Sequence, residues 1–307
     1  MVPGRGGRCR EFPNLLVMNE NALELMNPQS KHVQFKWYAF EDGEAFREVS
    51  RFNCFTVLLV LEGQGSVVAD VSTFPFFDHS LLCFSLYQPF RIRPDGVFRG
   101  IMVNFHPEFF CLHKHRHEVS CNGVLFNNIY ESPVLALSEA EFASLHLLFR
   151  GIEEEMRRPG IAQMEALLSY LKILLINASR MKMERRGALP EAVEKEPEIL
   201  GRLKAAIEER FASLHSPGDY AGMLNISTAA LNKVVKASLD KTLSQLIAER
   251  IVVEAKRQLY LTSKPVKQIA FELGYDDEFY FSRFFKGNVG VSPQYFRDTV
   301  GVDRANA

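Results

Sequence analysis

A chain of 307 residues is long enough for two domains, and 47% hydrophobic with 24% charged residues is the balance of a globular protein. The formal net charge of −1 means that the overall charge of the chain gives no indication of nucleic-acid binding. No stretch reaches the ~20 apolar residues of a membrane span. Five cysteines without a Cys-x-x-Cys pair argue against a disulfide framework and favour a cytoplasmic protein. No apolar run of a signal peptide follows the basic start, and we expect residues 1–30 to be flexible.

Short runs of aromatic and β-branched residues follow between about residues 31 and 130. The turn Glu62–Gly65 lies between two such runs and predicts a β-hairpin. Short strands with regular turn signals predict a small antiparallel barrel or sandwich. The clearest runs are His32–Phe40, Asn53–Leu61, Leu81–Leu86 and Phe98–Phe105.

The hydrophobic period becomes helical after residue 138. Phe142, Leu145 and Phe149 recur at three- and four-residue steps, and a second leucine-rich stripe follows a Pro-Gly stop. Residues 138–183 are therefore predicted to form a helical hairpin. Prolines, glycines and charges then predict a linker over residues 185–197.

A helix-turn-helix pattern occurs in the helical region after this linker. Ser216 suits the N-cap of a short helix and Pro217 its first position. The small side chain of Ala221 allows another helix to cross closely. Asn225 tolerates the left-handed conformation of a tight turn, and Ser227 can cap the next helix.

A second copy of the pattern is clearer. Pro265–Leu273 predicts a short helix with a small residue at Ala270, and Gly274 supplies the turn. Asp276 or Asp277 can cap the helix that follows. In a helix-turn-helix unit, this second helix enters the major groove of DNA with its N-terminus first.

The separation of the two copies is also informative. Ser227 and Asp277 are 50 residues apart, and an apolar stripe predicts one helix over Thr242–Leu261 between them. Such a helix spans about 30 Å, close to the ~34 Å of one DNA turn. It could place two recognition helices in successive major grooves.

An ordered series of residues across about 200–299 adds a family likeness. The region resembles the AraC/XylS family of bacterial transcription regulators, which implies a regulator bound to double-stranded DNA, with RNA polymerase as a partner if it is an activator. The expected DNA-binding domain is 198–299, with a tail over 300–307. The likeness is carried by Ile269–Asp277, Tyr280–Lys286, Gly290–Pro293 and Tyr295–Arg297, and by Ala221, Leu224, Leu231, Arg250 and Ala255.

The resemblance also implies base contacts from the exposed side of each recognition helix. Asn can pair with adenine, Arg or Lys with guanine, and Ala or an aromatic ring can contact a thymine methyl. Lys236, Lys267 and Lys286 are better placed for phosphates, which add affinity without sequence information. The implied base contacts are Thr228, Ala229, Asn232 and Lys233 in the first copy, and Glu278, Phe279, Tyr280 and Arg283 in the second.

The N-terminal half is similar to the cupin-type sensor domains of many family members, through Leu61–Gly65 and Gln88–Phe90. The implied fold is α+β in two domains, with a small antiparallel barrel and helical hairpin over 31–184 before an all-α double helix-turn-helix domain. This implies a small effector or partner acting on the barrel and a homodimer formed through the hairpin; packing of the hairpin on its own barrel is an equal alternative. A ligand-independent regulator controlled by protein interaction, its barrel filled by phenylalanine and leucine, stays open because the chain has 25 phenylalanines.

Histidines and cysteines crowd into sixteen positions after residue 105, a combination that suits zinc. Their spacing matches no standard zinc module, so we predict no metal and no cofactor. A metal cupin enzyme or an alkyl-transfer repair protein fused to a DNA-binding domain would need a metal triad or a reactive cysteine motif; the sequence offers neither, and we predict no enzyme. The crowded residues are His106, Cys111, His113, His115, His117 and Cys121.

Overall fold

The computed structural model describes residues 22–28, 31–112, 123–187 and 198–300. The chain divides into two units. The first unit runs to Asn128 and continues over Ser132–Gly187, and the second holds Ile129–Glu131 and the residues from Ala188 onward. No described helix is long and apolar enough to cross a membrane.

Antiparallel strands in two sheets form most of the first unit. The strands are β1 (Leu23–Met26), β2 (Val33–Phe40), β3 (Phe55–Glu62), β4 (Gly65–Ala69), β5 (Ser72–Phe76), β6 (Ser80–Phe84), β7 (Phe90–Pro94), β8 (Arg99–Phe105) and β9 (Val134–Ala136). One sheet has the order β1-β2-β8-β3-β6-β9 and the other β5-β4-β7. The α+β class is confirmed, and β2, β3, β6 and β8 match the predicted strands. Among the described strands, however, the two sheets do not close into a barrel.

The predicted hairpin around Glu62–Gly65 is wrong. β3 pairs with β6 and β8, whereas β4 pairs with β5 and β7, so this turn carries the chain from one sheet to the other. A Cβ atom on Gly65, whose φ is 155°, would lie 2.3 Å from the carbonyl oxygen of Arg93. Glycine is required at this corner because the chain passes close to the backbone of another strand. The glycine signals a turn, but it does not reveal which strands pair.

The range 1–30 contains a strand that the sequence analysis did not expect. Leu23–Met26 forms β1 and pairs antiparallel with β2, with Leu23 opposite Trp37 and Leu25 opposite Phe35. The expectation of a flexible N-terminus is therefore wrong for these four residues. The run is too short and too mixed to stand out, and its partner strand supplies its stability.

Phenylalanine rings fill the space between the two sheets. Phe84 and Phe90 stack with ring centroids 3.9 Å apart, and Phe40 lies 5.0 Å from Phe98. Each of these rings is almost completely buried. The core of the first unit is therefore aromatic, and both sheets contribute to it.

A helical hairpin, consisting of α1 (Glu139–Arg157) and α2 (Gln163–Gly187), follows the strands as predicted. Ser138 caps α1 in a reciprocal arrangement with Glu141. A Cβ on Gly151 would lie 2.6 Å from the ring of Tyr170, so the two helices cross closely at this glycine. α2 extends into the predicted linker, and the rest of the linker lies outside the described residues.

The second unit is helical. Its helices are α3 (Glu198–Arg210), α4 (Pro217–Leu224), α5 (Thr228–Leu239), α6 (Leu243–Leu261), α7 (Val266–Glu272), α8 (Glu278–Val289) and α9 (Pro293–Val300). The segment Ile129–Glu131 belongs to it through hydrogen bonds. The Tyr130 hydroxyl donates to Glu208 at 2.9 Å, and the Lys241 ammonium donates to the Ile129 carbonyl at 2.9 Å.

Candidate nucleic-acid interface

Two helix-turn-helix copies lie in the second unit, and their second helices correspond residue by residue. α5 and α8 have 12 residues each and begin 50 residues apart, at Thr228 and Glu278. Ser227 caps α5 by accepting from Ala230 N–H at 3.2 Å, and Asp277 caps α8 by accepting from Phe279 N–H at 2.8 Å. The predicted helix starts are confirmed, with Asp277 rather than Asp276 as the second cap.

The turns of the two copies share a left-handed residue. Asn225 has φ 54° and Gly274 has φ 78°, as the sequence analysis predicts. A Cβ on Gly274 would also lie 2.3 Å from the carbonyl oxygen of Ala212, whereas Asn225 carries its side chain at the corresponding place. The second turn thus requires glycine for space as well as for conformation.

Each recognition helix buries the same positions. Leu231 and Val235 of α5 are fully buried, and so are Phe281 and Phe285, fifty residues later, in α8. Between them, Lys233 and Arg283 are exposed. One buried scaffold thus presents two corresponding surfaces, α5 in the first copy and α8 in the second.

Most of the implied base contacts lie on these surfaces. Phe279 is 73% exposed and Tyr280 is 59% exposed, unusual values for side chains of this size. The Arg283 guanidinium lies 6.0 Å from the Tyr280 ring, within range of a cation–π contact. Glu278 is half-buried, whereas the exposed members of the set are Thr228, Ala229, Lys233, Phe279, Tyr280 and Arg283.

Asn232 connects its recognition helix to the helix that follows. Its side-chain oxygen accepts a hydrogen bond from the Leu243 N–H at 2.9 Å, at the start of α6. Recognition of adenine by asparagine uses both the amide oxygen and the amide nitrogen. Because Leu243 already holds this oxygen, we expect Asn232 to join α5 to α6 rather than to contact adenine. The interaction partner lies eleven residues ahead, beyond the reach of local sequence patterns.

The exposed cations differ in their surroundings. Within the described part of the chain, Lys233, Arg283 and Lys286 have no carboxylate within ion-pair distance. The Lys236 ammonium is 3.9 Å from Asp240, and that of Lys267 lies 5.8 Å from the Phe271 ring. Cations without an internal partner are suited to phosphates or base edges.

Buried charges stiffen the connecting helix α6. Glu254 lies near its middle and is 8% exposed, and the Arg257 guanidinium donates to its carboxylate at 2.9 Å. Burial is the largest single effect and acts to raise the pKa of Glu254, but the hydrogen bonds from Arg257 and Gln258 and the charges of Arg257 and Arg250 together outweigh it, so the pKa is lowered. The Arg250 Nε donates to Glu208 of α3 at 2.8 Å, which ties α6 to its neighbour.

A further arginine was not assigned a role in the sequence analysis. The Arg297 guanidinium donates to the Lys264 carbonyl at 2.6 Å and to the Leu259 carbonyl at 3.3 Å, so α9 holds the end of α6 and the entry to α7. Arg297 belongs to the residues that carry the family likeness, which was the available signal. Its hydrogen bonds fix the second copy on α6.

The crowded histidines and cysteines are only partly described. Cys111 is buried and His106 is almost fully buried. His113, His115, His117 and Cys121 lie outside the described residues. The prediction that this crowded set of histidines and cysteines binds no metal therefore stays untested.

Comparison with known proteins agrees with this geometry. A family model described as a helix-turn-helix domain matches residues 220–299. The raffinose operon transcriptional regulatory protein of Pediococcus pentosaceus is 29% identical over 96 residues, 31% of this chain and 35% of that protein. An uncharacterized HTH-type transcriptional regulator of Bacillus subtilis is 23% identical over 246 residues, 79% of this chain and 76% of that protein. The arabinose operon regulatory protein of Salmonella typhimurium is 26% identical over 133 residues, 42% of this chain and 47% of that protein.

The alignment spans less than half the length of the raffinose and arabinose regulators. All three relatives bear the names of regulators. Residues 220–299 are therefore an AraC/XylS-type DNA-binding domain, and the chain that carries it is a relative of the transcription regulators of that type.

Proposed function

We propose that the chain is a sequence-specific transcription regulator that holds double-stranded DNA with α5 and α8. The observation that carries the proposal is the repetition, 50 residues apart, of one exposed helix face on one buried scaffold. A protein that only needed a stable core would have no use for two outward helix faces at corresponding positions, one of which presents large exposed aromatic side chains beside an arginine. Bacterial DNA lies in the cytoplasm, where such a regulator acts.

The length of α6 supports a binding mode with two major grooves. α6 has 19 residues, which gives about 28 Å at the rise of an α-helix. It packs against α4 and α5 of the first copy and against α7, α8 and α9 of the second. Since one DNA turn is about 34 Å, a helix of this length suits two recognition helices in successive grooves.

Some of the exposed side chains contribute to DNA sequence specificity and others to general affinity for DNA. Lys233 and Arg283 occupy equivalent positions, fifty residues apart, and can each donate to guanine. Phe279 and Ala229 offer apolar surface to thymine methyl groups. Lys236, Lys267 and Lys286 bind phosphates, which gives affinity for any sequence.

Control by the first unit completes the proposal. An effector or a protein partner that binds one conformation of this unit better than another shifts the population of DNA-binding states. Exposed apolar side chains on α1, on α2 and in the loop between them support a homodimer through the hairpin, and an activator of this kind contacts RNA polymerase as well. These side chains are Leu147, Ile161, Ile173 and Met183.

The aromatic core favours a second version of this control, in which a protein partner replaces the small effector. Phe84 stacks on Phe90 and Phe40 packs on Phe98 in the space that an effector inside the sheets would need. Displacing buried rings costs several kcal/mol, about 3–5 for a phenylalanine truncated to alanine. A regulator with this interior is suited to receive its signal on its surface.

The test measures binding to DNA selected from a random pool and to the DNA upstream of its own gene. We expect Arg283→Ala to weaken specific binding by about 10- to 100-fold, the value of one bidentate base contact. Arg202→Ala is the matched control, since Arg202 is exposed on α3, outside both copies, and its loss removes the same charge. Equal affinities for selected and unrelated DNA would refute sequence-specific binding, and equal effects of the two variants would remove Arg283 from the interface.

A further inference from the structure

We propose that the first unit holds a divalent transition-metal site made by His32, His106 and Glu108. The site lies at the end of the six-stranded sheet of the first unit. The proposal goes beyond the proposed function and does not rest on it.

The sheet brings the three residues together from distant places in the sequence. His32 directly precedes β2 and His106 directly follows β8, and the two strands pair with Phe35 opposite Phe105. The His106 N–H donates to the Gln34 carbonyl at 2.8 Å, which extends the pairing by one step. Glu108 lies two residues further on, so its carboxylate returns towards both rings.

The distances are close to those of a metal site. Glu108 Oε2 is 2.9 Å from His32 Nε2 and 3.9 Å from His106 Nδ1. One ligand atom from each of the three residues lies within 4.8 Å of the others. Tetrahedral ligands at bonds of about 2.1 Å stand about 3.4 Å apart, so shifts of roughly 1 Å in these side chains bring all three onto one ion.

The surroundings of these atoms also suit a cation. His32 Nε2 is shielded from solvent and, among the described residues, has no hydrogen-bond partner, although the Glu108 carboxylate is beside it. His106 is 1% exposed, and the Glu108 side chain is mostly buried. A buried carboxylate needs a positive partner, and a divalent ion supplies one while both imidazoles remain neutral.

Two hydrogen bonds orient the carboxylate. The Asn27 side-chain amide donates to Glu108 Oε2 at 3.1 Å, the kind of outer contact that holds a metal-binding carboxylate in place. The Glu108 N–H donates to His106 Nδ1 at 3.3 Å, which is longer than the usual 2.7–3.2 Å. A metal bound at this nitrogen replaces that weak bond.

The donor set selects the type of metal. Two imidazoles and one carboxylate suit Zn²⁺, Co²⁺, Ni²⁺ or Fe²⁺, with a fourth position open to water. Mg²⁺ and Ca²⁺ prefer oxygen ligands alone. Bound metal would join the start of β2 to the end of β8, so it should stabilise the first unit against unfolding.

The experiment uses the full chain without a His-tag, stripped with a chelator and titrated with Zn²⁺ and with Co²⁺ in a calorimeter. We expect one metal per chain, a visible d–d spectrum for Co²⁺ and a higher Tm with either ion. His32→Gln and Glu108→Gln should each weaken binding by more than about 10-fold, the smallest loss seen when an outer contact is removed. Asn27→Ala should weaken it by about 10-fold.

Two controls separate this site from other sources of binding. The His79 ring stacks on the Phe142 ring of α1. His79→Gln should leave metal binding unchanged. Replacing His113, His115, His117 and Cys121 together by Gln and Ser tests the neighbouring cluster, and binding should again persist. Circular dichroism identifies the folded variants; His32 is partly exposed, so His32→Gln should fold. Absence of stoichiometric binding to the wild type, or unchanged affinity in folded His32→Gln, would overturn the proposal.

Discussion

The two helix-turn-helix copies share a backbone and differ in what they present. In α5 the outward residues are small or flexible, such as Ala229 and Lys233, whereas α8 presents Phe279, Tyr280 and Arg283. The buried positions repeat while the exposed ones diverge. The comparison teaches that the scaffold depends on a few buried residues, and that each copy can change its DNA contacts without changing its fold.

The largest expected effect is on the turn of the second copy. Gly274→Ala introduces a Cβ 2.3 Å from a carbonyl oxygen at a positive φ, so we expect more than about 3 kcal/mol loss in the free energy of unfolding. Asn225→Ala, in the first copy, meets only the conformational cost of about 1 kcal/mol. Urea unfolding of both variants checks the difference. Similar losses would mean that the two turns are equally constrained.

A smaller effect should separate the two recognition surfaces. Phe279→Ala combined with Arg283→Ala should reduce the ratio of specific to unspecific DNA affinity by about 100-fold, because two base contacts are lost. Lys233→Ala should reduce it by about 10-fold, since one is lost. Competition binding with selected and unrelated DNA gives these ratios. A larger effect of Lys233→Ala would assign the main specificity to the first copy.

The junction between recognition helix and following helix offers a matched pair. Asn232→Ala removes the bond to the Leu243 N–H and should cost about 1 kcal/mol of stability, as for a lost helix cap. Ser282→Ala, at the equivalent position, should cost far less, because Pro293 has no N–H to receive such a bond. Thermal unfolding distinguishes the variants. DNA specificity of Asn232→Ala should stay at the wild-type value.

The smallest expected effect concerns pH. The lowered pKa of Glu254 means that its charge stabilises the folded state above the unfolded value of about 4.5, and this contribution is lost as pH falls through the folded value. Solvent screening at the half-exposed Arg257 keeps it below about 1 kcal/mol. Wild type and Glu254→Gln should therefore differ in Tm at pH 7 and converge as pH falls below 4.5 and passes the folded value. A constant difference would exclude the ionised carboxylate as the cause.

The parts of this fold that sequence reasoning predicted are those whose causes are local. Ser227, Asp277 and Gly274 act on backbone within a few residues, so caps and turns follow from the sequence alone. The corner at Glu62–Gly65 was mistaken for a hairpin because strand pairing depends on residues far away. The same limit applies to Asn232, whose partner lies eleven residues ahead.

The candidate metal site shows this limit most clearly. His106 stood out in the sequence beside histidines that follow it, but its partner His32 precedes it by 74 residues. Only the pairing of β2 with β8 brings the two together. Residue types can suggest metal binding, whereas strand pairing determines which of the candidate side chains are close enough to bind one ion.

The caps of α6 and α9 have a consequence for how such domains grow. Thr242 accepts from the Gln245 N–H and Ser292 accepts from the Tyr295 N–H, both at 3.2 Å, so α9 begins fifty residues after α6 in the same way. α9 is thus a shortened counterpart of the connecting helix. If α9 were as long as α6, a third helix-turn-helix copy could pack against it. The length of DNA recognised by one chain could then be extended by adding copies rather than by redesigning the existing ones.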